Sequence, residues 1–481
     1  MTFLTRLGDA LWDPWLLGLF LMTGLWYSVR TGFFQLFGLP VWLRATVCSL
    51  FRKRQRRSGG GLTQFQALST ALASTIGTGS IAGVATAIFY GGPGAVFWMW
   101  VSALLGMMTG CAEKTLAVRW RERAPGGGWQ GGPMCCMERG LGMRWMALWF
   151  SLCCAAASLG GGNLVQANSI ATALHVSFGW DPLLVGLITA GCCGAVIWGG
   201  IGRIGRISEG LVPCMALLFL GGGVAILAAN AAAIPGALAD IFSCALSPRA
   251  ALGGGAGYTV SAAMRYGVAR GVFTNEAGMG SSAMAHAAAD VDDPALEGMW
   301  GIFEVFIATI LVCSVTALVI LTTGVYQPEA ALEAIRSGTV TDDMLGAPLS
   351  AAAFSTLFGP FGGAFVSVCL LLFAFTSLLG WSYYGERCLS YLTGGEGCRP
   401  VYRCVFTAAI VLGSVGDLSA VWQLADIFNG LMALPNLLAL LLLSPQALEL
   451  MRPWTAPGSR TGAARTKNGG RLSRDGRRVR Q

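Results

Sequence analysis

Six hydroxyl side chains and two glycines crowd into one short stretch: Ser69, Thr70, Ser74, Thr75, Thr78 and Ser80, with Gly77 and Gly79. The stretch lies inside an apolar segment, Phe65 to Tyr90, that carries no Asp, Glu, Lys or Arg. A bilayer span needs roughly 20 residues, so the segment is long enough to cross. Each glycine costs a helix about 1 kcal/mol relative to alanine, so the centre is poorly suited to an unbroken helix. Opening the backbone there turns amides and carbonyls inward, which is tolerated at membrane depth only where they are buried in protein or line a cavity. Ile76 to Ser80 therefore reads as the unwound centre of a discontinuous helix, the device with which secondary transporters bind substrate and coupling ion. The competing reading is a face of small residues for close helix packing. A second stretch of the same character runs Phe273-Thr274-Asn275-Glu276-Ala277-Gly278-Met279-Gly280-Ser281. It reads as a second broken span within 256–290, with a loop of short helices as the alternative.

Two such openings facing each other can take up a zwitterion, whose charges are costly to strip of water unless paired. The amides of Thr78 and Gly79 and the positive end of a half-helix suit a carboxylate. Carbonyls around Phe273 and Ala277 suit an ammonium. Phe273, Met279 and Trp381 are bulky enough to limit side-chain size, and Gln166 can hydrogen-bond a ligand or tie two helices together. The candidate substrate-binding residues are Thr75, Gly77, Thr78, Gly79, Gln166, Phe273, Thr274, Ala277, Gly278, Met279 and Trp381. The adjacent hydroxyls of Thr376 and Ser377 either meet a hard cation, which wants oxygen ligands, or bond back to their own helix. Intramembrane carboxylates are functional candidates by default. Of these, Glu113 and Glu304 lie near span ends, and Glu276 is expected to pair with Arg270 and brace the second opening. Glu209 and Glu386 sit beside basic turns and read as surface pairs.

The elements that must hold these residues are membrane helices. The chain has 481 residues, 54% hydrophobic and only 12% charged, with mean hydropathy +0.62, and apolar runs of span length recur along it. Its 68 glycines suit close helix approach in lipid. The 15 cysteines include no Cys-x-x-Cys pair, and there are two histidines, His175 and His286; neither a disulfide framework nor a zinc site is expected. The net charge of +8 belongs to loops and tail rather than to a nucleic-acid surface. No cleavable signal is read at the start. Spans are expected near 15–37, 65–90, 95–118, 145–172, 182–199, 209–229, 256–290, 299–323, 352–391, 401–415 and 419–444. Basic turns fall on one side, which sets the N-terminus outside and the C-terminus in the cytoplasm. This gives an all-α polytopic fold of 11 transmembrane helices, divided into an extra helix and elbow (1–62), a first repeat (63–229), an outer loop with a second repeat (230–446) and a basic tail read as disordered (447–481).

Without the first span, ten remain, and the two broken spans are the first and sixth of them. Interruptions at matching positions in two halves point to an inverted-repeat transporter, here the five-plus-five LeuT-type pattern. The sequence also resembles the alanine or glycine:cation symporter family. The resemblance is carried by Phe65 to Ala73 and on to Gly83-Val84-Ala85, by Gly91-Gly92-Pro93-Gly94, Gly131-Gly132-Pro133-Met134 and Gln166-Ala167-Asn168-Ser169, by Gly267 to Ser281, and by Gly380-Trp381-Ser382-Tyr383-Tyr384-Gly385-Glu386. It covers roughly residues 60–445.

The resemblance implies sodium-driven import of small neutral amino acids, chiefly alanine and glycine, through a prokaryotic inner membrane; a monomer is expected, with an oligomer as the alternative. It also implies a sodium site formed by Thr376, Ser377 and the carbonyls of Ala73 and Ile76. A second sodium site would involve Ser80, Thr274 and Ala308. In that family the positions of Ser80 and Ala308 usually hold Asn and Asp, so this second site is expected to be weak or empty. The departure opens an alternative, the same fold working as a proton-coupled or uncoupled carrier with Glu276 or Glu304 as proton carrier. A channel or a transport-dead sensor is a further alternative, but no filter-like repeat or output domain supports it. No catalytic constellation is present in the sequence, and the chain is not read as an enzyme.

Overall fold

The computed structural model describes residues 3–50, 61–123, 128–246, 260–341, 344–416 and 419–456. The basic block at 52–57, the acids Asp342 and Asp343 and the tail from 457 lie outside these. The chain is mostly helical. Among the described residues, six helices are long and apolar enough to cross a membrane: Gly94–Arg119, Arg144–Phe178, Gly200–Ala229, Pro294–Thr322, Phe361–Thr393 and Val421–Leu442. The other expected spans correspond to Pro14–Arg30, the interrupted pair Gln64–Thr75 and Ala82–Gly91, Pro182–Ile197, Val260–Asn275 and Arg399–Val415.

Local sequence sets several of these boundaries. Thr63 accepts a hydrogen bond from the Gln66 amide while Gln66 reaches back to the Thr63 amide, a capping box that starts the first broken helix. Asp181 and Asp293 cap the helices that open on Pro182 and Pro294, where proline's missing N–H costs nothing. The expected long span at 352–391 is divided at Gly359-Pro360 into Gly346–Phe358 and Phe361–Thr393. The expected tail begins as an ordered helix, Ser444–Thr455.

The two broken helices share a common centre. The Leu62 amide donates to the Ala288 carbonyl at 3.0 Å, and the Asp290 amide donates to Leu62 at 2.8 Å. This short parallel bridge ties the entry of the first broken helix to the exit of the second. Around them pack Gly94–Arg119, Gly200–Ala229 and Phe361–Thr393. Close approach demands small residues here: a Cβ on Gly267 would lie 2.3 Å from the Ala95 carbonyl, and one on Gly301 would lie 2.6 Å from that of Gly110.

Candidate functional site

The first helix stops at Thr75, and the backbone does not resume helical geometry until Ala82. Ile76 is turned out of the helix (φ −83°, ψ 74°), Gly77 is extended (φ −109°, ψ −159°), and Thr78–Ser80 form one 3-10 turn. The amides of Gly77, Thr78 and Gly79 thus lie outside the ladder of Gln64–Thr75. Gly77 is needed for space, since a Cβ there would lie 2.7 Å from Ser377 Oγ. The second helix ends at Asn275. Glu276 then takes a left-handed conformation (φ 53°), followed by Gly278 (φ 91°) and Gly280 (φ 90°). The glycines adopt such angles freely. A left-handed non-glycine residue costs about 1–2 kcal/mol, and such residues gather at functional sites.

Between the two breaks lies a cavity of about 30 Å³. One wall is Ser74, Thr75, Gly77, Thr78 and Gly79; the facing wall is Phe273, Thr274, Glu276 and Met279; and Gly161, Gln166, Trp381 and Asn429 close it. Nine of the eleven expected substrate residues line this space. Ala277 and Gly278 do not: the Ala277 amide is bonded to Asn275 Oδ1 at 3.0 Å, and the Gly278 carbonyl accepts from Asn436 Nδ2 at 2.8 Å. Both are turned into the packing behind the break.

The side chains are held in position by their neighbours. Thr78 Oγ1 donates to Gln166 Oε1 at 3.4 Å, while Gln166 Nε2 donates to the Gly161 carbonyl at 3.2 Å. That carbonyl belongs to the π-helical turn Gly160–Leu164. In the same turn Gly162 lets Trp381 in, because a Cβ there would stand 2.5 Å from the indole. Ser74 Oγ shares a 2.9 Å hydrogen bond with the Tyr384 hydroxyl.

The oxygen-rich spot at the first break belongs to Ser377. Its hydroxyl is within hydrogen-bond range of three carbonyls, Ala73 (3.1 Å), Ser74 (3.4 Å) and Phe373 (3.0 Å). Thr376 differs: its hydroxyl reaches the Phe373 carbonyl at 3.0 Å and Met215 Sδ at 3.4 Å, with no bond to the first broken helix. Behind Gly79, the residues of the expected second ion site are gathered too. Thr274 Oγ1 lies close to Gly79 but donates to the Arg270 carbonyl at 2.8 Å. Among the described residues, buried Ser80 Oγ has only the Cys313 thiol beside it. Ala308, fully buried, belongs to the π-helical segment Phe306–Cys313, whose Thr309 hydroxyl is likewise buried and unpartnered.

Glu276 is not paired as expected. Its carboxylate accepts a hydrogen bond from Ser281, and the Arg270 guanidinium stands over the Phe273 ring, 5.8 Å from its centroid. Glu386 does pair with Arg399 and Arg403, but as a buried carboxylate rather than a surface one, whereas Glu209 accepts from Gln66 at 2.9 Å. Glu113 and Glu304 belong to a buried cluster. Lys114 Nζ stands 3.4 Å from Glu113 and 3.3 Å from Glu304, and His286 bridges Glu304 (3.2 Å) and Glu297 (2.8 Å). Gln64 and Asn436 bond Glu297 and Glu113 at 2.8 and 2.6 Å. Ser74, Gly161 and Asn429 are cavity residues that sequence reasoning did not nominate. Asn429 had a readable signal, an amide within an apolar span, whereas Gly161 had none beyond its Gly-Gly-Gly setting.

The model of the sodium:alanine symporter family matches residues 1–467. The chain belongs to that family. Among similar proteins is the sodium/alanine symporter AgcS of Methanococcus maripaludis, 43% identical over 92% of this chain and 95% of its own length. Another is the probable sodium/glutamine symporter GlnT of Bacillus subtilis, 35% identical over 93% of this chain and 89% of its own. In structure, MhsT solved in complex with L-phenylalanine matches with TM-score 0.54 at 13% identity, over 84% of this chain and 100% of that one. That likeness supports the LeuT-like helical fold. Family membership makes the chain a multi-pass membrane transporter, with sodium as the ion the family uses.

Proposed function

We propose that this family member imports alanine and glycine with sodium by alternating access, from a site between the two broken helices. The reading rests on Ser377. One hydroxyl hydrogen cannot satisfy three carbonyls at once, and its oxygen and theirs form the kind of oxygen cluster a hard cation displaces hydrogen bonds to occupy. Ala73 and Ser377 contribute directly, Ile76 adds a carbonyl freed by the break, and Thr376 needs a rotamer change to join. Thr78 and Gly79 amides take the substrate carboxylate, and Gln166 holds Thr78 in place. Phe273, Met279 and Trp381 leave room only for a small side chain. The cavity of about 30 Å³ holds little more than two waters at roughly 10–15 Å³ each. A substrate therefore enters only as the walls part, which is the behaviour alternating access requires.

The eleven spans, the outside N-terminus and the inner-membrane location belong to the same proposal. One sodium suffices energetically. A potential of ~100 mV supplies about 2.3 kcal/mol per charge, and a tenfold gradient adds about 1.4 kcal/mol, enough for accumulation on the order of 500-fold. A second reading, proton coupling, is favoured by Glu276, a buried carboxylate on the cavity wall. The deciding experiment is labelled L-alanine uptake into proteoliposomes at fixed pH, with and without an inward sodium gradient. Sodium-driven accumulation is expected; uptake that follows a pH gradient and ignores sodium overturns the coupling assignment.

A further inference from the structure

Away from the transport site, the end of the Pro14–Arg30 helix and the helix Ser444–Thr455 enclose a cleft of about 880 Å³. Arg30 and Arg452 line it from opposite elements, with Glu449 as the one carboxylate. Neither arginine makes an ion pair among the described residues; Arg30 lies only over the Trp26 ring, 5.1 Å from its centroid. The cleft thus carries a formal charge of +1.

Its mouth is apolar. Phe37 lines the cleft and is 80% exposed. Trp26, Leu36 and Leu39 are exposed beside it. Water disfavours such a patch, and a membrane span ending in Arg30 puts it at the lipid interface, where aromatic side chains gather. The combination is a guanidinium pair at headgroup level with an apolar approach open to lipid.

We propose that this cleft is a binding site for one anionic phospholipid, its phosphate held between Arg30 and Arg452 and its acyl chains lying over Phe37 and Trp26. Arginine suits phosphate through its planar fork of donors, and basic pockets between membrane helices take anionic headgroups. A net charge of +1 complements a singly charged headgroup and leaves a zwitterionic one without electrostatic gain. The chain's own Arg-rich tail is a poor occupant for the same reason. The bound lipid would brace the transporter's core, because Trp454, on the cleft wall, donates to Asp293 Oδ2 at 3.0 Å. Asp293 caps the helix that carries Glu297 and Glu304.

The test compares the purified full chain with Arg30→Gln/Arg452→Gln, Arg30→Lys/Arg452→Lys and Arg44→Gln, the last removing an exposed charge outside the cleft. Each is mixed in detergent with phosphatidylglycerol, phosphatidylethanolamine or soluble glycerol 3-phosphate. Lipid retention is read by native mass spectrometry and the melting midpoint by scanning. The unaltered chain is expected to keep one phosphatidylglycerol and melt higher with it. The glutamine pair should retain at least ~10-fold less, the lysine pair should keep part of it, and Arg44→Gln should behave as the unaltered chain. Equal retention by the glutamine pair, an equal loss in Arg44→Gln, or equal preference for phosphatidylethanolamine overturns the proposal. A melting shift produced by glycerol 3-phosphate alone overturns the lipid and leaves a soluble phosphate site.

Discussion

The two sides of the first helix break, one at Ser377 and one at Ser80, start from similar residues and differ in finish. On the Ser377 side, a hydroxyl and three carbonyls converge, and Gly77 provides the space for them. On the Ser80 side, hydroxyls are also gathered, yet among the described residues Thr309 Oγ1 has no partner, Ser80 Oγ has only the Cys313 thiol beside it, and Ala308 contributes a methyl. A buried polar group without a hydrogen bond costs about 1–3 kcal/mol. The first side is thus a completed oxygen cluster and the second an incomplete one. The difference teaches that collecting hydroxyls near a helix break is not enough: a cation also needs acceptor oxygens that converge on one point, as the three carbonyls do around Ser377. On this comparison rests the expectation of a single effective sodium site.

The largest effect should come from Ser377→Ala. Loss of the central hydroxyl should raise the sodium concentration for half-maximal alanine uptake at least ~10-fold, about 1.4 kcal/mol, with little change in melting temperature. Sodium activation that survives this change would place the ion elsewhere and remove the contrast between the two sides. Gly77→Ala comes next. Its Cβ would meet Ser377 Oγ, and overpacking typically costs about 1–3 kcal/mol. Uptake should fall several-fold, with both the sodium and alanine dependences shifted, because the same residue opens the turn and seats the hydroxyl.

Much of this arrangement was legible in the residues. Glycine beside hydroxyls in an uncharged span locates the first break within a residue or two, because few local structures accommodate that composition in lipid. The second break was harder, since Arg265, Arg270 and Glu276 lower its hydropathy. The structure accounts for two of them: Glu276 is bonded within its own turn and Arg270 rests against Phe273. What sequence could not show is rotamer and facing. Thr376 and Ser377 are neighbours, yet a helix turns about 100° per residue, so one meets the first broken helix and the other Met215. Ala277 and Gly278 fall in the right turn but point away from the cavity. The Lys114–His286 cluster joins residues far apart in the chain, a pairing that no local pattern reveals.

The comparison is sharpened by completing the weaker side. Ser80→Asn with Ala308→Asp supplies an amide oxygen and a carboxylate where a hydroxyl and a methyl now stand. Sodium dependence of uptake should change from hyperbolic to sigmoidal, and the charge carried per alanine should rise from one toward two in a potential-clamped proteoliposome assay. The single change Ala308→Asp should be poorer than the pair, because it buries a carboxylate beside an incomplete set of partners. A double variant that still moves one charge per alanine would show that the Ser80 side lacks an ion for some reason other than its missing ligands.

The smallest effect should come from Thr376→Val, and its smallness is the point. Thr376 lies next to Ser377 but donates to the carbonyl three residues back in its own helix. Such a back-bond adds little, since the net worth of a hydrogen bond is about 0.5–1.5 kcal/mol and the carbonyl of Phe373 keeps Ser377 as a partner. Valine preserves the β-branched shape, so packing against Met215 is retained. Half-maximal sodium should therefore shift by less than ~3-fold, about 0.7 kcal/mol, against at least ~10-fold for Ser377→Ala. Equal losses in the two variants would mean that Thr376 turns inward when sodium binds. The cluster at the first break would then be assembled by the ion, and the contrast between the two sides of that break would lie in which hydroxyls can rotate rather than in which already converge.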